Sequence, residues 1–328
     1  MKIRWLSGDD VASVLTMEAA VEAVRQAYVA VYRRTVQMPL RMHLPSERYG
    51  GLNLFMPSSD PDLGRTVLKA LSVYGDNPAR GLPAIMGVVL VFDAVDGRPL
   101  AVMDAARLTG LRTGAASGVS SQVLARPDSR VLAVIGAGAQ APFQVDAVLA
   151  VRPIEEVRLY SRTRSRAEAL AAQVRQRRPD LRVVVTDSAG AAVREADIIC
   201  TATNAVEPVL ADADVKPGTH VSAVGSFTPA MRELPADLLA RAGRVYVDQR
   251  EAALEEAGEV IHALQAGVLA EDALIELGAV LAGEAEGRRD PEEVTVFKSS
   301  GLAAQDLYAA ARALEAAESR GAGVEVSL

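Results

Sequence analysis

Cysteine, histidine and aromatic residues are scarce in this chain of 328 residues. It contains one cysteine and three histidines, and aromatic residues make up 4% of it. Cys200 cannot form a disulfide within the chain, and its apolar sequence neighbours predict a buried, unreactive thiol. His43, His220 and His262 lie far apart and lack the spacing of metal ligands. These scarcities exclude a disulfide scaffold and lead us to predict no metal site.

The chain has fewer basic than acidic residues, and it contains no long apolar run. The chain carries 35 Lys and Arg against 42 Asp and Glu, for a net charge of −7. A protein that binds nucleic acid usually presents a basic surface, so we expect no nucleic-acid partner. The N-terminal residues MKIRWLSGDD contain no apolar signal core, and no apolar run approaches the length of a membrane span. We therefore expect a cytoplasmic protein with no membrane partner.

Two different patterns of secondary structure are present, and the length of the chain favours two domains. After an amphipathic helix at Met17–Tyr32, the first hundred residues contain short strand-forming segments separated by turn residues, which predicts an antiparallel sheet. From residue 131 onward, strand and helix patterns alternate, which predicts a parallel sheet covered on both faces. The predicted fold class is α/β, with a Rossmann-type doubly wound sheet and a second α+β domain that ends near residues 126–128.

The most informative motif is VLAVIGAGAQAPFQ at residues 131–144. Five apolar residues predict a buried strand, and the glycines after them predict a tight turn into a helix, the pattern of a dinucleotide-binding loop. Gly136 can adopt the backbone angles of the turn, Gly138 leaves room for a pyrophosphate, and Ala141 permits close helix packing. Backbone N–H groups at the helix start would bind the phosphates. The predicted loop comprises Gly136, Ala137, Gly138, Ala139 and Gln140.

The residues after the second strand of this pattern distinguish NADP from NAD. In NAD-binding domains an acidic residue at this place binds the ribose 2′-hydroxyl. Here residues 160–164 read Tyr-Ser-Arg-Thr-Arg, without a carboxylate. An arginine can form charge-assisted hydrogen bonds to a 2′-phosphate, so NADP(H) is favoured, bound by Ser161, Arg162 and Thr163, with NAD(H) as the alternative. In the other interpretation, Arg162 and Arg164 are a solvated pair in a loop.

A set of motifs runs through the chain in a fixed order. It consists of RTGAAS at residues 112–117, VIGAGAQ at 134–140, AVGSFTP at 223–229 with REL at 232–234, and FKSSG at 297–301. Together these motifs resemble the ornithine cyclodeaminase/mu-crystallin family, and the resemblance covers nearly the whole chain. It implies a Rossmann domain at residues 126–302, a substrate-binding and dimerisation domain from residues 1–125 with 303–328, a homodimer, and hydride transfer at the α-carbon of a small amino or imino acid.

The resemblance also implies roles for individual residues. Lys69 is expected to act as the catalytic residue near the reacting nitrogen, and Arg41 and Arg112 to hold the substrate carboxylate, which arginines bind in bidentate fashion. A lysine in an apolar strand is expected to have a lowered pKa and to donate a proton. The alternatives are that Arg41 is an ordinary surface residue and that Lys69 points outward. The other matched positions are Thr113, Phe227, Thr228 and Ser300 for the substrate, and Thr203, Val224, Gly225 and Ser299 for the cofactor.

One departure from the family pattern helps to choose between the reactions of the family. Where cyclodeaminases have an aspartate that acts on the amino groups of the substrate, this sequence has Phe227, which cannot accept a proton. We therefore favour reduction of an α-imino acid (a ketimine), above all of Δ1-pyrroline-2-carboxylate to L-proline. Ala84 replaces a threonine, which would remove one polar contact to the substrate. The alternatives are an alanine dehydrogenase-like enzyme, an ammonia-releasing ornithine cyclodeaminase and a non-catalytic, NADP-binding crystallin-like protein.

Overall fold

The computed structural model describes all residues, 1–328, and it divides into two compact units. The terminal unit consists of Met1–Arg112 with Leu302–Leu328, and the central unit is Thr113–Gly301. The division falls inside helix α3 (Ala105–Leu124), whereas the sequence places it near residues 126–128. The sequence marks only the end of the helix, because a helix that continues from one unit into the other contains no break at the division itself.

Strands from both ends of the chain form one sheet in the terminal unit. Its elements are β1 (Lys2–Leu6), α1 (Gly8–Val14), α2 (Met17–Tyr32), β2 (Met42–Ser46), β3 (Gly51–Asp60), β4 (Arg65–Tyr74), β5 (Ile85–Asp93), β6 (Pro99–Asp104), the first part of α3, α11 (Ala303–Arg320) and β15 (Val324–Ser327). The strand order is β15-β1-β6-β5-β4-β3-β2. Strands β2 to β6 are antiparallel neighbours, as the sequence predicts, while β1 pairs with β6 in parallel.

Helix α11 covers one face of the terminal sheet. It lies against β3, β4 and β5, and α2 packs against it. Strand pairing places Met56, Lys69 and Val89 side by side across these three strands, and all three are buried. Residues 303, 307, 310, 314 and 317 of α11 are buried and apolar, at the spacing of one helix face. Lys69 therefore lies in an otherwise apolar row beneath an amphipathic helix.

The central unit alternates strands with helices. Its elements after α3 are β7 (Val131–Ile135), α4 (Ala141–Val151), β8 (Glu156–Tyr160), α5 (Arg164–Arg177), β9 (Arg182–Val185), α6 (Ala189–Val193), β10 (Ile198–Thr201), β11 (His220–Ala223), α7 (Ala236–Ala242), β12 (Val245–Val247), α8 (Arg250–Glu256), α9 (Gly258–Gln265), β13 (Leu274–Glu276), α10 (Leu277–Leu281) and β14 (Thr295–Lys298). All its strand pairs are parallel, in the order β13-β12-β14-β11-β10-β7-β8-β9.

This arrangement confirms the predicted Rossmann-type sheet. The strands are short, apolar and mostly buried, as expected when helices cover both faces of a parallel sheet. Chain order reverses between β7 and β10, and ligands of doubly wound sheets bind beyond the carboxyl ends of the strands at such a reversal. The glycine loop follows β7 directly, so it lies at this place.

One helix differs from the sequence expectation. Residues 251–267 look like a single helix in the sequence, but the structure divides them into α8 and α9 at Ala257, whose backbone is extended. The new helix buries the carboxylate of Glu259 near its start, where it accepts hydrogen bonds from Ser226. None of the helices is both long enough and apolar enough to span a membrane.

Candidate active site

A buried ion pair joins the sheet of the terminal unit to its last helix. Nζ of Lys69, on β4, donates a hydrogen bond of 2.6 Å to Oδ2 of Asp306, on α11. Both residues are 0% exposed. Lys69 therefore points inward, and the alternative of an outward-pointing lysine is wrong. Because a buried charge is tolerated only when it is paired, the lysine in this row requires Asp306 as its partner.

Burial and neighbouring charges change the acidity of Lys69. Removal from water lowers its pKa most, the positive charges of Arg112 and Arg41 lower it further, and Asp306 raises it in part, so that the pKa is about 7. A lysine with this pKa exists in both protonation states near neutral pH. It can therefore donate a proton and be reprotonated within one reaction cycle.

The same helix also orients Arg112. Its Nε donates to Oδ1 of Asp306 at 3.1 Å, and its Nη1 donates to Oε1 of Gln305 at 2.8 Å. Nε2 of Gln305 donates in turn to the hydroxyl of Tyr28 at 2.6 Å. Asp306 thus binds both Lys69 and Arg112, and two side chains fix the plane of the guanidinium. A guanidinium held in this way is suited to bind a carboxylate.

Arg41, the second predicted carboxylate ligand, precedes β2 and is half-buried. Its positive charge is among those that lower the pKa of Lys69, so it lies within electrostatic reach of the lysine. Thr113 follows Arg112 on α3 and is buried. The structure therefore brings Lys69, Arg41 and Arg112 into one positively charged cluster.

The glycine loop of the central unit has unpaired donors beside open space. Gly136 has a φ of +102°, and a Cβ there would lie 2.6 Å from the carbonyl oxygen of Ala202. A Cβ built on Gly138, in contrast, meets no atom within 4 Å. The backbone N–H groups of residues 138–140 have no backbone acceptor, and α4 starts immediately after them at the buried Ala141. These features fit the pyrophosphate of a dinucleotide.

The loop after β8 contains one unpaired guanidinium rather than two. Arg164 begins α5 and forms ion pairs with Glu168, at 2.8 Å, and with Asp187. Arg162 is exposed and has no ion pair or hydrogen bond within the protein. Arg164 is therefore not the free loop residue that the sequence suggested. Arg162 is therefore the unpaired guanidinium of this loop, next in sequence to the hydroxyl residues Ser161 and Thr163.

Glu233 connects the loops that follow two adjacent strands. Its Oε1 accepts the backbone N–H and the hydroxyl of Thr203, after β10, and its Oε2 accepts the backbone N–H groups of Gly225 and Ser226, after β11. Val224 is buried in the same segment. Three predicted cofactor residues, at positions 203, 224 and 225, therefore lie at the carboxyl ends of neighbouring strands.

Phe227 and Thr228 continue the loop after β11, and both are half-buried. They belong to the central unit, as does Ser300, whereas Arg41, Lys69 and Arg112 belong to the terminal unit.

Asp248 holds the segment after β14. Its Oδ2 accepts hydrogen bonds from Oγ of Ser299 at 2.8 Å and from the backbone N–H groups of Ser300, at 3.0 Å, and Gly301, at 2.9 Å. Both serines are buried. Because the Ser299 hydroxyl already donates to Asp248, its hydrogen is not available as a donor to a cofactor while this bond is present.

The sequence analysis assigned no role to the polar residues that hold these side chains. These residues are Tyr28, Glu233, Asp248, Gln305 and Asp306. A signal existed for Asp306, because it lies at helical spacing between Ala303 and Ala310, on a face that is otherwise apolar. No group of three or more His, Cys, Asp or Glu side chains is arranged to bind a metal ion.

Comparison with known proteins gives whole-chain matches. The chain is 39% identical over 322 residues to a Δ1-pyrroline-2-carboxylate reductase of Bacillus cereus, with 98% of both chains covered. Its structure is similar to that of Thermococcus litoralis Δ1-pyrroline-2-carboxylate reductase in complex with NADH and L-proline (TM-score 0.94, 35% identity, covering 99% of this chain and 100% of that one). It is also similar to an archaeal alanine dehydrogenase dimer with bound NAD (TM-score 0.92, 33% identity, 100% of both chains).

The family match extends over almost every element described above. Residues 3–321 match the ornithine cyclodeaminase/mu-crystallin family, a range that includes the Lys69–Asp306 pair, the glycine loop and the segment after β14. The chain belongs to the ornithine cyclodeaminase/mu-crystallin family, as its motifs predict.

Proposed function

We propose that this protein is a nicotinamide-dependent oxidoreductase that converts Δ1-pyrroline-2-carboxylate to L-proline. The observation that carries the proposal is Lys69, whose pKa of about 7 suits a proton donor and whose Nζ is held by Asp306. Whole-chain similarity to Δ1-pyrroline-2-carboxylate reductases supports the same reaction. We assign substrate binding and dimerisation to the terminal unit and cofactor binding to the central unit.

Reduction of an imine requires a hydride at carbon and a proton at nitrogen. A nicotinamide cofactor held by the glycine loop and by the loops after β10 and β11 would supply the hydride. Lys69 gives a proton from Nζ to the imine nitrogen, so that C=N becomes CH–NH. Arg41 and Arg112 bind the substrate carboxylate and thereby fix the orientation of the α-carbon that is bonded to it. Neutral Lys69 can still donate a hydrogen bond to Asp306, and it must be reprotonated before the next reaction cycle.

Phe227 supports reduction over cyclodeamination. A phenyl ring can neither accept a proton nor bind the side-chain ammonium of ornithine, but it offers an apolar surface to the methylene groups of a five- or six-membered ring. Thr228, next in the loop, offers a hydroxyl. The second candidate is an alanine dehydrogenase, which the similarity to the archaeal enzyme favours. The imine of pyruvate would use the same arginines and the same lysine.

We propose NADPH as the preferred cofactor. The support comes from the loop after β8, which has no carboxylate to bind a 2′-hydroxyl and has one unpaired guanidinium, that of Arg162. Arg164 does not add to this site, because Glu168 and Asp187 already bind it. The two similar structures described above contain NADH and NAD, so a direct comparison of the two cofactors is needed for this chain.

We infer that the protein is a homodimer and that the uncovered face of the terminal sheet forms the interface. Strand pairing places a group of exposed, large apolar side chains on the face opposite Lys69: Trp5, Met42, Leu44, Met86, Val324 and Val326. Large apolar side chains exposed on one sheet face are a feature of interaction sites. A second copy of the chain is the occupant we propose, because the similar archaeal alanine dehydrogenase is a dimer.

We also propose a cytoplasmic location. Cys200 is fully buried, and burial raises the pKa of its thiol to about 12, so the protein contains no reactive thiol and no disulfide. A structure that does not use disulfides is typical of proteins from reducing compartments.

The first test is the oxidation of NADPH when Δ1-pyrroline-2-carboxylate is added to the purified protein, with NADH in parallel. We expect NADPH to be consumed in proportion to the L-proline formed. Oxidation only with pyruvate and ammonia would instead assign an alanine dehydrogenase. Release of ammonia from ornithine without net change of NADPH would assign a cyclodeaminase. A rise in Tm with NADPH but no turnover of any imino acid would assign a non-catalytic binding protein.

A further inference from the structure

Three charged side chains are buried together in the central unit, and the proposed reaction does not use them. Glu233, Glu259 and Lys298 are 0%, 2% and 1% exposed. They come from the segment before α7, from α9 and from the end of β14. Burial raises the pKa of Glu233, and the charge of Lys298 opposes this. Because taking charges out of water is costly, a cluster of this kind needs a structural or functional reason.

Glu233 is bound on both oxygens. Oε1 accepts the N–H of Thr203 at 2.6 Å and its hydroxyl at 2.8 Å, and Oε2 accepts the N–H groups of Gly225, at 2.7 Å, and Ser226, at 3.3 Å. One carboxylate therefore receives four donors from two loops. The loops are closely packed, since a Cβ on Gly225 would lie 2.2 Å from the nitrogen of Thr203 and 2.7 Å from Oε1 of Glu233.

The other two members of the cluster fix Ser226. Its hydroxyl donates to the carboxylate of Glu259 at 2.8 and 2.9 Å. Nζ of Lys298 donates to the carbonyl oxygen of Ser226 at 2.5 Å and to its hydroxyl at 2.7 Å. Because the backbone N–H of Ser226 also donates to Glu233, every polar group of Ser226 forms a hydrogen bond. The residue that precedes Phe227 therefore cannot shift without breaking several buried hydrogen bonds.

We propose that Glu233 is a positioning residue for the nicotinamide half of the cofactor. In a doubly wound sheet the two nucleotide halves bind on either side of the reversal in chain order. Here β8 and β9 lie on one side of β7, and β10 and β11 lie on the other. Arg162 follows β8, so the 2′-phosphate half belongs to that side. The loops held by Glu233 belong to the nicotinamide side. This inference rests on the cofactor binding proposed above.

The decisive variant is Glu233→Gln. Glutamine has the same shape but one acceptor oxygen, so its NH2 group must face backbone N–H donors of one of the two loops. Glu259→Gln is the matched control. It removes the same charge from the same cluster, its amide oxygen can still accept the hydroxyl of Ser226, and it contacts neither Thr203 nor Gly225.

Calorimetry with two ligands measures the two halves of the site. We expect Glu233→Gln to weaken the binding of NADP+ by about tenfold or more, the effect of a buried donor left without an acceptor. We expect it to leave adenosine 2′,5′-bisphosphate, which lacks the nicotinamide half, within about twofold of the wild type. Glu259→Gln should leave both ligands nearly unchanged. Retained binding of the bisphosphate also shows that the variant is folded.

Three results would overturn the assignment. They are unchanged NADP+ affinity in Glu233→Gln, equal loss of both ligands, and equal loss of NADP+ in both variants, which would point to charge rather than position. If Glu233→Gln does not fold, Glu233→Asp carries the test, because it keeps the charge but is one methylene too short to hold both loops. Selective loss of NADP+ then supports the proposal, and unchanged affinity contradicts it. A wild-type protein that binds neither NADP+ nor NAD+ would refute the proposed function instead.

Discussion

At the scale of single residues, the site depends on one carboxylate that serves two cations. Asp306 receives Nζ of Lys69 on one oxygen and Nε of Arg112 on the other. The bond to the lysine favours the charged ammonium, while burial and the arginines favour the neutral amine. This balance places the pKa of the lysine near neutrality. The same carboxylate therefore influences both the acidity of the proposed proton donor and the orientation of the guanidinium that we propose binds the substrate.

Replacing Lys69 with methionine tests the proton donor while keeping an unbranched side chain of similar length. We expect kcat for Δ1-pyrroline-2-carboxylate to fall by about 10²- to 10⁴-fold, the usual contribution of a general acid. Binding of NADP+ should be unchanged in calorimetry. Lys2→Met is the matched control, because Lys2 is an exposed lysine paired only with Glu325. Near-normal turnover by Lys69→Met would remove the lysine from the mechanism.

The pH dependence of the reaction should report the same lysine. A proton donor must be protonated, and Lys69 with a pKa of about 7 is protonated below that pH. We expect kcat/KM to be level below pH 7 and to fall by about tenfold per unit above it, as the acid form is lost. Steady-state rates between about pH 6 and 9 measure this. A rate that is constant to pH 9 contradicts the assignment.

Arg162→Asp tests the choice of cofactor at one residue. Loss of a charge-assisted hydrogen bond and a new negative charge should weaken NADPH binding by about 10- to 100-fold, while NADH binding changes little. The control is Arg164→Asp, two residues away, where the guanidinium already binds Glu168 and Asp187. In Arg164→Asp the ratio of NADPH affinity to NADH affinity should change much less than in Arg162→Asp. Equal losses of both cofactors in Arg162→Asp would argue against a 2′-phosphate site.

At the scale of elements, His220 joins three parts of the central unit. Its Nδ1 lies 2.9 Å from the hydroxyl of Thr295 on β14, and its Nε2 lies 3.2 Å from Ser120 on α3 and 3.1 Å from Ser222 on β11. The ring is fully buried, and burial, with the charges of Arg288 and Arg152, lowers its pKa to about 3. The imidazole is therefore neutral in the folded protein at any pH well above 3.

This burial should make the folded state sensitive to acid. In the unfolded chain the histidine takes up a proton near pH 6.5, whereas in the folded protein it stays neutral down to about pH 3. The stability that the neutral His220 contributes is therefore present above pH 6.5 and is lost as the pH falls toward 3. At pH 5 the loss amounts to about 2 kcal/mol. Urea unfolding at pH 7 and pH 5 measures it. His220→Gln should lack this component, whereas His262→Gln, at an exposed site, should retain it.

The elements show what could be predicted from the sequence. Strands β7 and β10 are almost entirely apolar and β8 has buried apolar residues at alternate positions, so all three were recognisable from local composition. Strand β15 was not, because its four residues are paired with β1 at the opposite end of the chain. The division of residues 251–267 into two helices also depends on distant partners, since Glu259 is buried against Ser226. Local patterns predict elements, but contacts between distant segments decide where some of them end.

The same distinction between local patterns and distant contacts applies to the candidate site. The glycine loop was recognisable because its three small residues and its flanking elements are contiguous in sequence. Lys69 and Arg112 came from the family resemblance, which marks positions but not partners. Asp306 was missed because the residues it binds lie 237 and 194 positions earlier in the chain. Only the packing of α11 on the terminal sheet brings these side chains together.

At the scale of the whole molecule, the uncovered sheet face should control assembly. Leu90 lies near the middle of this face, paired with Leu68 and Val102. We expect Leu90→Glu to convert a dimer into monomers, measured by light scattering during gel filtration, because a carboxylate would be buried without a partner in the interface. Val95→Glu, at a turn residue that is 90% exposed, is the control. A Leu90→Glu protein that stays dimeric and still binds NADP+ would place the interface elsewhere.

The terminal unit takes residues from both ends of the chain, and this has a consequence for biosynthesis. Leu302–Leu328 leaves the ribosome after all of Thr113–Gly301. Until then, β4 is present without α11, and Lys69 has no Asp306 to pair with. The Lys69–Asp306 pair of the terminal unit therefore cannot form before α11 has been synthesised. A chain that is terminated before Asp306 lacks the carboxylate that binds both Lys69 and Arg112, so only chains that extend beyond this residue can complete the cluster.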